Sequence, residues 1–219
     1  MIKNKKTKIL VINPNSDPEM TRAIQETAES FSKGNFETIC LPTPGAPKFI
    51  ETYEDQEKAA PGMIKLVKEN QAQYDAFLVA CHCDPNLEVI QRITKKPVVG
   101  IGEASMKIAS ILGQSFSVIQ TSEFSIPIKE KLVKRYHLED SLASLRAPEK
   151  GMENLSDDQK YLETARLAVK EDKADVIVLG CAGMTGLARK IQKELGVPVL
   201  DGVVCGLIIT AGLISLDYS

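Results

Sequence analysis

Short apolar runs separated by amphipathic stretches constrain the fold of this chain more than any other feature. The runs are residues 9–12, 36–41, 76–80, 98–101, 116–121, 176–179 and 197–200. Most are rich in Val and Ile and lack polar alternation, which suits parallel strands buried on both faces. Helices are expected between them. Asp17 can cap a helix that begins at Pro18, a favoured first-turn residue. Pro61 is expected to begin another. Ser156, followed by Asp157 and Asp158, opens a long one reaching about Asp172. Leu187, Ile191 and Leu195 recur every four residues with Arg189, Lys190 and Lys193 between them, an amphipathic stripe. Residues 202–216 are nearly all apolar. A membrane span needs about 20 such residues, so this run reads as a buried C-terminal helix. Alternating strands and helices imply an α/β fold with parallel sheets.

The chain also repeats itself. Asp75-Ala-Phe-Leu-Val-Ala-Cys81 matches Asp175-Val-Ile-Val-Leu-Gly-Cys181. A helical stretch and then Pro-Val follow each cysteine, at Pro97-Val98 and Pro198-Val199, with Gly100 or Gly202 close behind. The starts match more loosely, Ile9-Leu-Val-Ile-Asn13-Pro-Asn15 against Phe116-Ser-Val-Ile-Gln120-Thr-Ser122. Two similar lobes with a site in the cleft between them follow. Residues 1–112 form the first and 113–219 the second, with the helix 202–216 a candidate to complete the first.

The 219 residues suffice for two compact lobes of roughly 100 residues each. A net charge of −2 carries no electrostatic footprint for nucleic acid. Lys3, Lys5, Lys6 and Lys8 run straight into a strand-like segment without a signal-peptide apolar stretch, so they read as a solvated tail. Five cysteines, an odd count, argue against a disulfide framework and for a reducing cytoplasm. Free thiols there are core filler, metal ligands or catalysts.

In open parallel sheets, ligands bind beyond the carboxyl ends of the strands. Cys81 and Cys181 are both expected there, each just before a helix whose N–H groups and dipole favour an anion. A thiol of ordinary pKa about 8.5 is then expected to drop toward neutrality. Two such groups facing each other can share one reaction. One thiolate removes a proton from a carbon and the opposite thiol returns one to the other face, inverting that carbon. The intermediate anion needs donors aimed at a neighbouring carbonyl oxygen. Asn13-Pro14-Asn15-Ser16, Thr121-Ser122 and the backbone N–H groups of Ala182 and Gly183 are the candidates. Taken singly, each cysteine reads more readily as a small buried hydrophobe. Their matched positions favour chemistry.

Ala80-Cys81-His82-Cys83-Asp84-Pro85 resembles the first cysteine motif of the hydantoin racemases, within the aspartate/glutamate racemase superfamily. Leu179-Gly180-Cys181-Ala182-Gly183-Met184 is similar to their second. Asn13 to Ser16, Pro97 to Glu103, Leu145-Arg146-Ala147 and Val197 to Gly202 also fit the pattern, so the likeness spans nearly the whole chain. The resemblance implies two Rossmann-like lobes and cofactor-independent racemisation of 5-substituted hydantoins or the related ureide allantoin. It makes Cys81 and Cys181 the acid–base pair and puts Asn13, Ser16, Thr121 and Gly183 in the substrate pocket. Homo-oligomeric assembly is common among such enzymes. Positions 82 and 83 are His-Cys, where family members more often carry an aromatic and a small residue. Relatives in the superfamily racemise amino acids, isomerise maleate or decarboxylate malonates.

Other readings compete. Cys81, His82, Cys83 and Asp84 are all metal-ligand types. Adjacent strand residues point to opposite faces, however, and no paired C-x-x-C motifs frame a zinc site, so no metal is expected. His82 is expected to line the pocket or tune Cys81, and His137 to lie at a helix end on the surface. Gly100-Ile-Gly102-Glu-Ala-Ser105 follows a strand and opens a helix, with Glu123 beyond, as in a dinucleotide-binding module, but the third glycine is Ser105. A non-catalytic two-lobed ligand-binding protein is the remaining alternative. It would leave the thiols unreactive near pH 7.

Overall fold

The computed structural model describes residues 6–216. Lys3 and Lys5 lie outside them. Strands and helices alternate as β1 (Lys8–Asn13), α1 (Pro18–Ser32), β2 (Glu37–Pro42), α2 (Tyr53–Asn70), β3 (Ala76–Val79), α3 (Leu87–Ile93), β4 (Val98–Gly100) and α4 (Ile101–Leu112). The second half continues as β5 (Phe116–Ile119), α5 (Ile126–Arg135), β6 (Leu142–Arg146), α6 (Asp157–Lys170), β7 (Val176–Leu179), α7 (Ala188–Leu195), β8 (Val199–Leu200) and α8 (Gly202–Ser215).

The strands form two four-stranded sheets, ordered β2-β1-β3-β4 and β6-β5-β7-β8, and every pairing is parallel. The two halves therefore share one topology. The apolar runs have a simple cause in the pleat. Ile9, Val11 and Leu78 point into one core cluster, and Leu10, Ile12, Phe77 and Val79 point into another on the opposite face. In the second sheet Phe116, Val118, Val176 and Val178 face one cluster, and Ile119, Ile177 and Leu179 the other. With both faces covered, the central strands β1, β3, β5 and β7 leave no solvent-facing position for polar alternation.

Helix starts follow side-chain caps. Asp17 accepts from the Met20 N–H at 3.4 Å, with Pro18 in the first turn of α1. Ser156 and Gln159 form a reciprocal capping box at the start of α6. Pro61 departs from expectation, because it lies inside α2. Thr52 and Asp55 cap that helix in a second reciprocal box, which starts it at Tyr53. Pro61 costs one i→i−4 bond, but Glu57, whose carbonyl loses it, is exposed to water. Lys8 is not part of a solvated tail. It opens β1, its backbone N–H donates to Asp75, and its ammonium lies 3.2 Å from Glu37.

Helix α4 joins the two halves. Ile101 and Ala104 belong to the cluster over the first sheet, while Met106 and Ala109 belong to a cluster over the second. Helix α8 returns to the first sheet, with Val203, Cys205 and Leu207 packed beside Leu78 and Ile101. Among the described residues, no helix is long and apolar enough to cross a membrane.

Candidate active site

Cys81 follows β3 and Cys181 follows β7, at the carboxyl ends of strands that hold equivalent positions in the two sheets. Both are half-buried and both line one small cavity of about 60 Å³. The first lobe contributes Cys81, His82 and Cys83 to its wall. The second contributes Gln120, Thr121, Ser122 and Cys181. Of the other expected residues, Asn13, Ser16, Ala182 and Gly183 are not among those lining it. Asn13 is fully buried and donates to Asn15 Oδ1 (2.7 Å) and Thr21 Oγ1 (2.9 Å), holding the loop after β1. Ser16 is exposed, and its N–H donates to the Pro47 carbonyl. Ala182 is buried, and the Gly183 N–H points at Cys181 Sγ, 3.3 Å away. That donor serves the thiol rather than the cavity.

The expectation that helix starts would acidify both thiols fails on distance. Only a 3₁₀ turn, Ala182–Met184, follows Cys181, and α7 begins at Ala188. After Cys81 the chain turns until α3 begins at Leu87. A helix dipole fades within about one turn. Burial therefore dominates at Cys181 and pushes its pKa up, with the Gly183 N–H opposing.

The low-pKa thiol is Cys83. A hydrogen bond from the Cys81 thiol, with the Lys129 ammonium beside it, brings Cys83 down to about 5 against the cost of burial. The same bond, together with burial, pushes Cys81 well up.

Lys129, on α5, is fully buried. Its Nζ donates to His82 Nδ1 at 2.8 Å, to the His82 carbonyl, and to Cys83 Sγ at 3.7 Å. Ser105 Oγ lies 3.0 Å from His82 Nε2 and donates to the Ile101 carbonyl at 2.7 Å. With Nδ1 accepting from an ammonium, the consistent tautomer carries its proton on Nε2. Burial and Lys129 hold the His82 pKa well below its usual value. His82 is therefore a neutral relay between α5 and α4. His137, just past α5, is exposed as expected.

Each cysteine loop is tied to a helix start by a carboxylate. Asp84 accepts from the Gly102 and Glu103 N–H groups at the beginning of α4, at 2.9 and 2.7 Å, and from the Tyr136 hydroxyl at 2.7 Å. A Cβ on Gly100 or Gly102 would come within 2.3 or 2.8 Å of that carboxylate. The glycines of the dinucleotide-like motif thus make room for an internal anion, which already occupies the helix start. In the second lobe the polarity is reversed. Asp201 caps α8 and accepts from Thr185 Oγ1 (2.7 Å) and the Gly186 N–H (2.9 Å) in the Cys181 loop. Arg146 meets Asp172, Glu171 and Glu149 in a surface network, away from the cavity wall. Among the described residues, no cluster of three His, Cys, Asp or Glu side chains is disposed to hold a metal ion.

The family model described as Asp/Glu/Hydantoin racemase matches residues 9–208. The chain belongs to the Asp/Glu/hydantoin racemase family. A hydantoin racemase of Pseudomonas sp. (strain NS671) is 37% identical over 206 residues, covering 91% of this chain and 83% of that protein. The solved structure of an allantoin racemase from Klebsiella pneumoniae superposes with a TM-score of 0.91 at 31% identity, covering 98% of this chain and 90% of that one. An allantoin racemase from Pseudomonas fluorescens gives 0.89 at 32% identity, over 97% and 93% of the two chains.

Two residues of this racemase-family site escaped the sequence reading. Lys129 sits on the stripe Ile128, Lys129, Leu132, Val133 that α5 buries. A cation at a core position of an amphipathic helix was the available signal. Gln120 is 1% exposed, lines the cavity, and its Nε2 has no hydrogen-bond partner. It lay inside the matched strand ends but carried no signal of its own.

Proposed function

We propose that this chain racemises 5-substituted hydantoins or the ureide allantoin, with Cys81 and Cys181 as the two proton-transfer groups. The observation that carries the reading is one cavity bordered by both thiols, one from each lobe. Similarity to hydantoin and allantoin racemases supports it. The reacting proton of these substrates lies beside a carbonyl, and its loss gives an enolate-stabilised carbanion. A positioned thiolate suffices for that step, so no cofactor is invoked.

The lining favours a ureide over an amino diacid. Among the lining residues there is no Lys or Arg to pair a substrate carboxylate, and Glu51 would repel one. The Gln120 carboxamide, with Nε2 unpaired and Oε1 accepting from Ser125 Oγ at 3.1 Å, instead offers a donor to the C=O of a ureide. Thr121 and Ser122 stand beside it to help bind the substrate. Asn13 and Ser16 contribute by shaping the β1 loop, and Ala182 and Gly183 by holding Cys181. At about 60 Å³ the cavity falls below the roughly 300–1,000 Å³ of ordinary ligand pockets, so the cleft must open for a ring substrate. A cytoplasmic home, where the five free thiols stay reduced, and a homo-oligomeric state complete the proposal.

The test is a chiral assay of purified protein in deuterium oxide against allantoin, alkyl and aryl hydantoins, aspartate, glutamate and maleate. Racemisation with deuterium uptake on the ureides is expected. Turnover of the acids alone would transfer the chain to an amino-acid racemase or maleate isomerase reading.

A further inference from the structure

We propose that Lys129 and Cys83 form a buried ammonium–thiolate pair that holds the proton of Cys81, making the first-lobe acid–base group two sulfurs rather than one. This rests on the racemase reading for its catalytic meaning, though not for the pair itself. The geometry carries it. An ammonium has three donors, and those of Lys129 meet three acceptors, His82 Nδ1, the His82 carbonyl and Cys83 Sγ. A fully buried cation demands a counter-charge. His82 is neutral, because its Nδ1 is spent as an acceptor. The Asp84 carboxylate feels Lys129 by charge alone, its hydrogen bonds going to the Gly102 and Glu103 N–H groups and to Tyr136. Among the described hydrogen-bond partners of Lys129, Cys83 is thus the only acid.

The other groups around Cys83 leave that assignment intact. On the shared cavity it faces Cys81, Cys181 and Glu51. On its other side it borders a second cavity of about 250 Å³, where Asp84, Glu88, Lys131 and Arg135 stand. Glu88 is paired with Arg135 at 3.7 Å, and Lys131 lies over the Tyr53 ring. This second cavity also gives a small reagent access to Cys83.

The consequence for turnover is a conserved charge. With Cys83 as thiolate, Cys81 rests as a thiol. Passing its proton to Cys83 makes Cys81 the base. When Cys81 then takes a proton from the substrate carbon, Cys181 gives its own to the opposite face, and the negative charge moves to Cys181. In the reverse direction Cys181 is the base and Cys81 the acid. One ammonium serves all three sulfurs, since Lys129 also favours the Cys181 thiolate. Cys83 and Lys129 act through Cys81 and are positioning residues.

The experiment follows alkylation of each cysteine by iodoacetamide against pH, localised by tandem mass spectrometry, in the full chain without substrate. Cys83 is expected to react at pH 6 at a rate well above that of free glutathione. Lys129→Met should cut that rate roughly tenfold or more, and Lys129→Arg should restore most of it. Should Lys129→Met not fold, Cys83→Ser carries the test, because loss of the neighbouring thiolate should let Cys81 react at lower pH. The acid limb of kcat/KM for allantoin, set in the wild type by the first proton lost from the Cys81–Cys83 pair, should move up in this variant, a shift that a merely structural role would not produce. An unperturbed Cys83, or a Cys81 profile unmoved by Cys83→Ser, overturns the pair. A Lys129-dependent Cys83 thiolate in a protein inert toward every ureide would leave the pair standing and refute the racemase reading instead.

Discussion

Asp84 and Tyr136 meet at 2.7 Å, a carboxylate from the Cys81 loop and a hydroxyl from the end of α5, so one hydrogen bond ties the two lobes beside the site. Its acceptor is charged and buried, and bonds of this kind contribute about 1.5–3 kcal/mol. Tyr136→Phe should lower the urea unfolding free energy by that order. A loss below a few tenths would show that the lobes are not joined there.

Asp84 also makes stability depend on pH. Burial raises its carboxyl from 3.8 to about 6, with Tyr136 and the two N–H donors opposing. The folded state therefore keeps its proton where the unfolded chain has lost it. This contribution favours the fold below about pH 4 and is lost as pH rises toward 6. The change is at most about 3 kcal/mol. Urea midpoints measured between pH 4 and 7 should fall along this window in the wild type, and Asp84→Asn should flatten the slope.

Gly100 is a steric counterpart of the same carboxylate. An alanine Cβ there would sit 2.3 Å from Asp84 Oδ1. Gly100→Ala should cost about 1–3 kcal/mol by overpacking. Combined with Asp84→Ala, it should cost less than the sum of the two single changes, and thermal melts of the cycle decide this.

Cys81→Ser and Cys181→Ser should each reduce racemisation by roughly 10²–10⁴-fold, the usual worth of a positioned acid or base. Each variant should still exchange the proton of one enantiomer in deuterium oxide, because the opposite base remains. Full activity in either would rule out transfer between two faces.

Gln120→Leu removes a buried amide whose Nε2 is unpaired and whose Oε1 accepts from Ser125 Oγ, a hydroxyl that keeps the Ser122 carbonyl as a partner, so the melting temperature should change little. Activity should nonetheless fall by roughly 10²-fold if the amide meets the developing enolate oxygen. Measured kcat and KM separate this from a loss of binding alone.

Most of the architecture could be read in advance for one reason. The central strands β1, β3, β5 and β7 are buried on both faces, so they read as short, almost wholly apolar runs. Strand β6 escaped because it is an edge strand, half-buried at every position, and so it carries no such run. The start of α2 escaped because Pro61 drew attention from the Thr52–Asp55 box. At the site, the paired cysteines were legible as matched strand ends. The charge arrangement was not, because Lys129 reaches His82 and Cys83 across 47 and 46 positions of sequence. The motif Gly100-Ile-Gly102 was visible, but only the fold reveals that its partner is Asp84 from the same chain.

Helix α4 gives one side to each half of the molecule. Severing the chain after Leu112 would strip Met106 and Ala109 of Phe116, Val118 and Val176, and leave that flank greasy and wet. It would equally take α8 from the half it caps. The duplicated halves are thus no longer separable modules. They should melt together in a single cooperative event, and neither fragment should persist alone in solution.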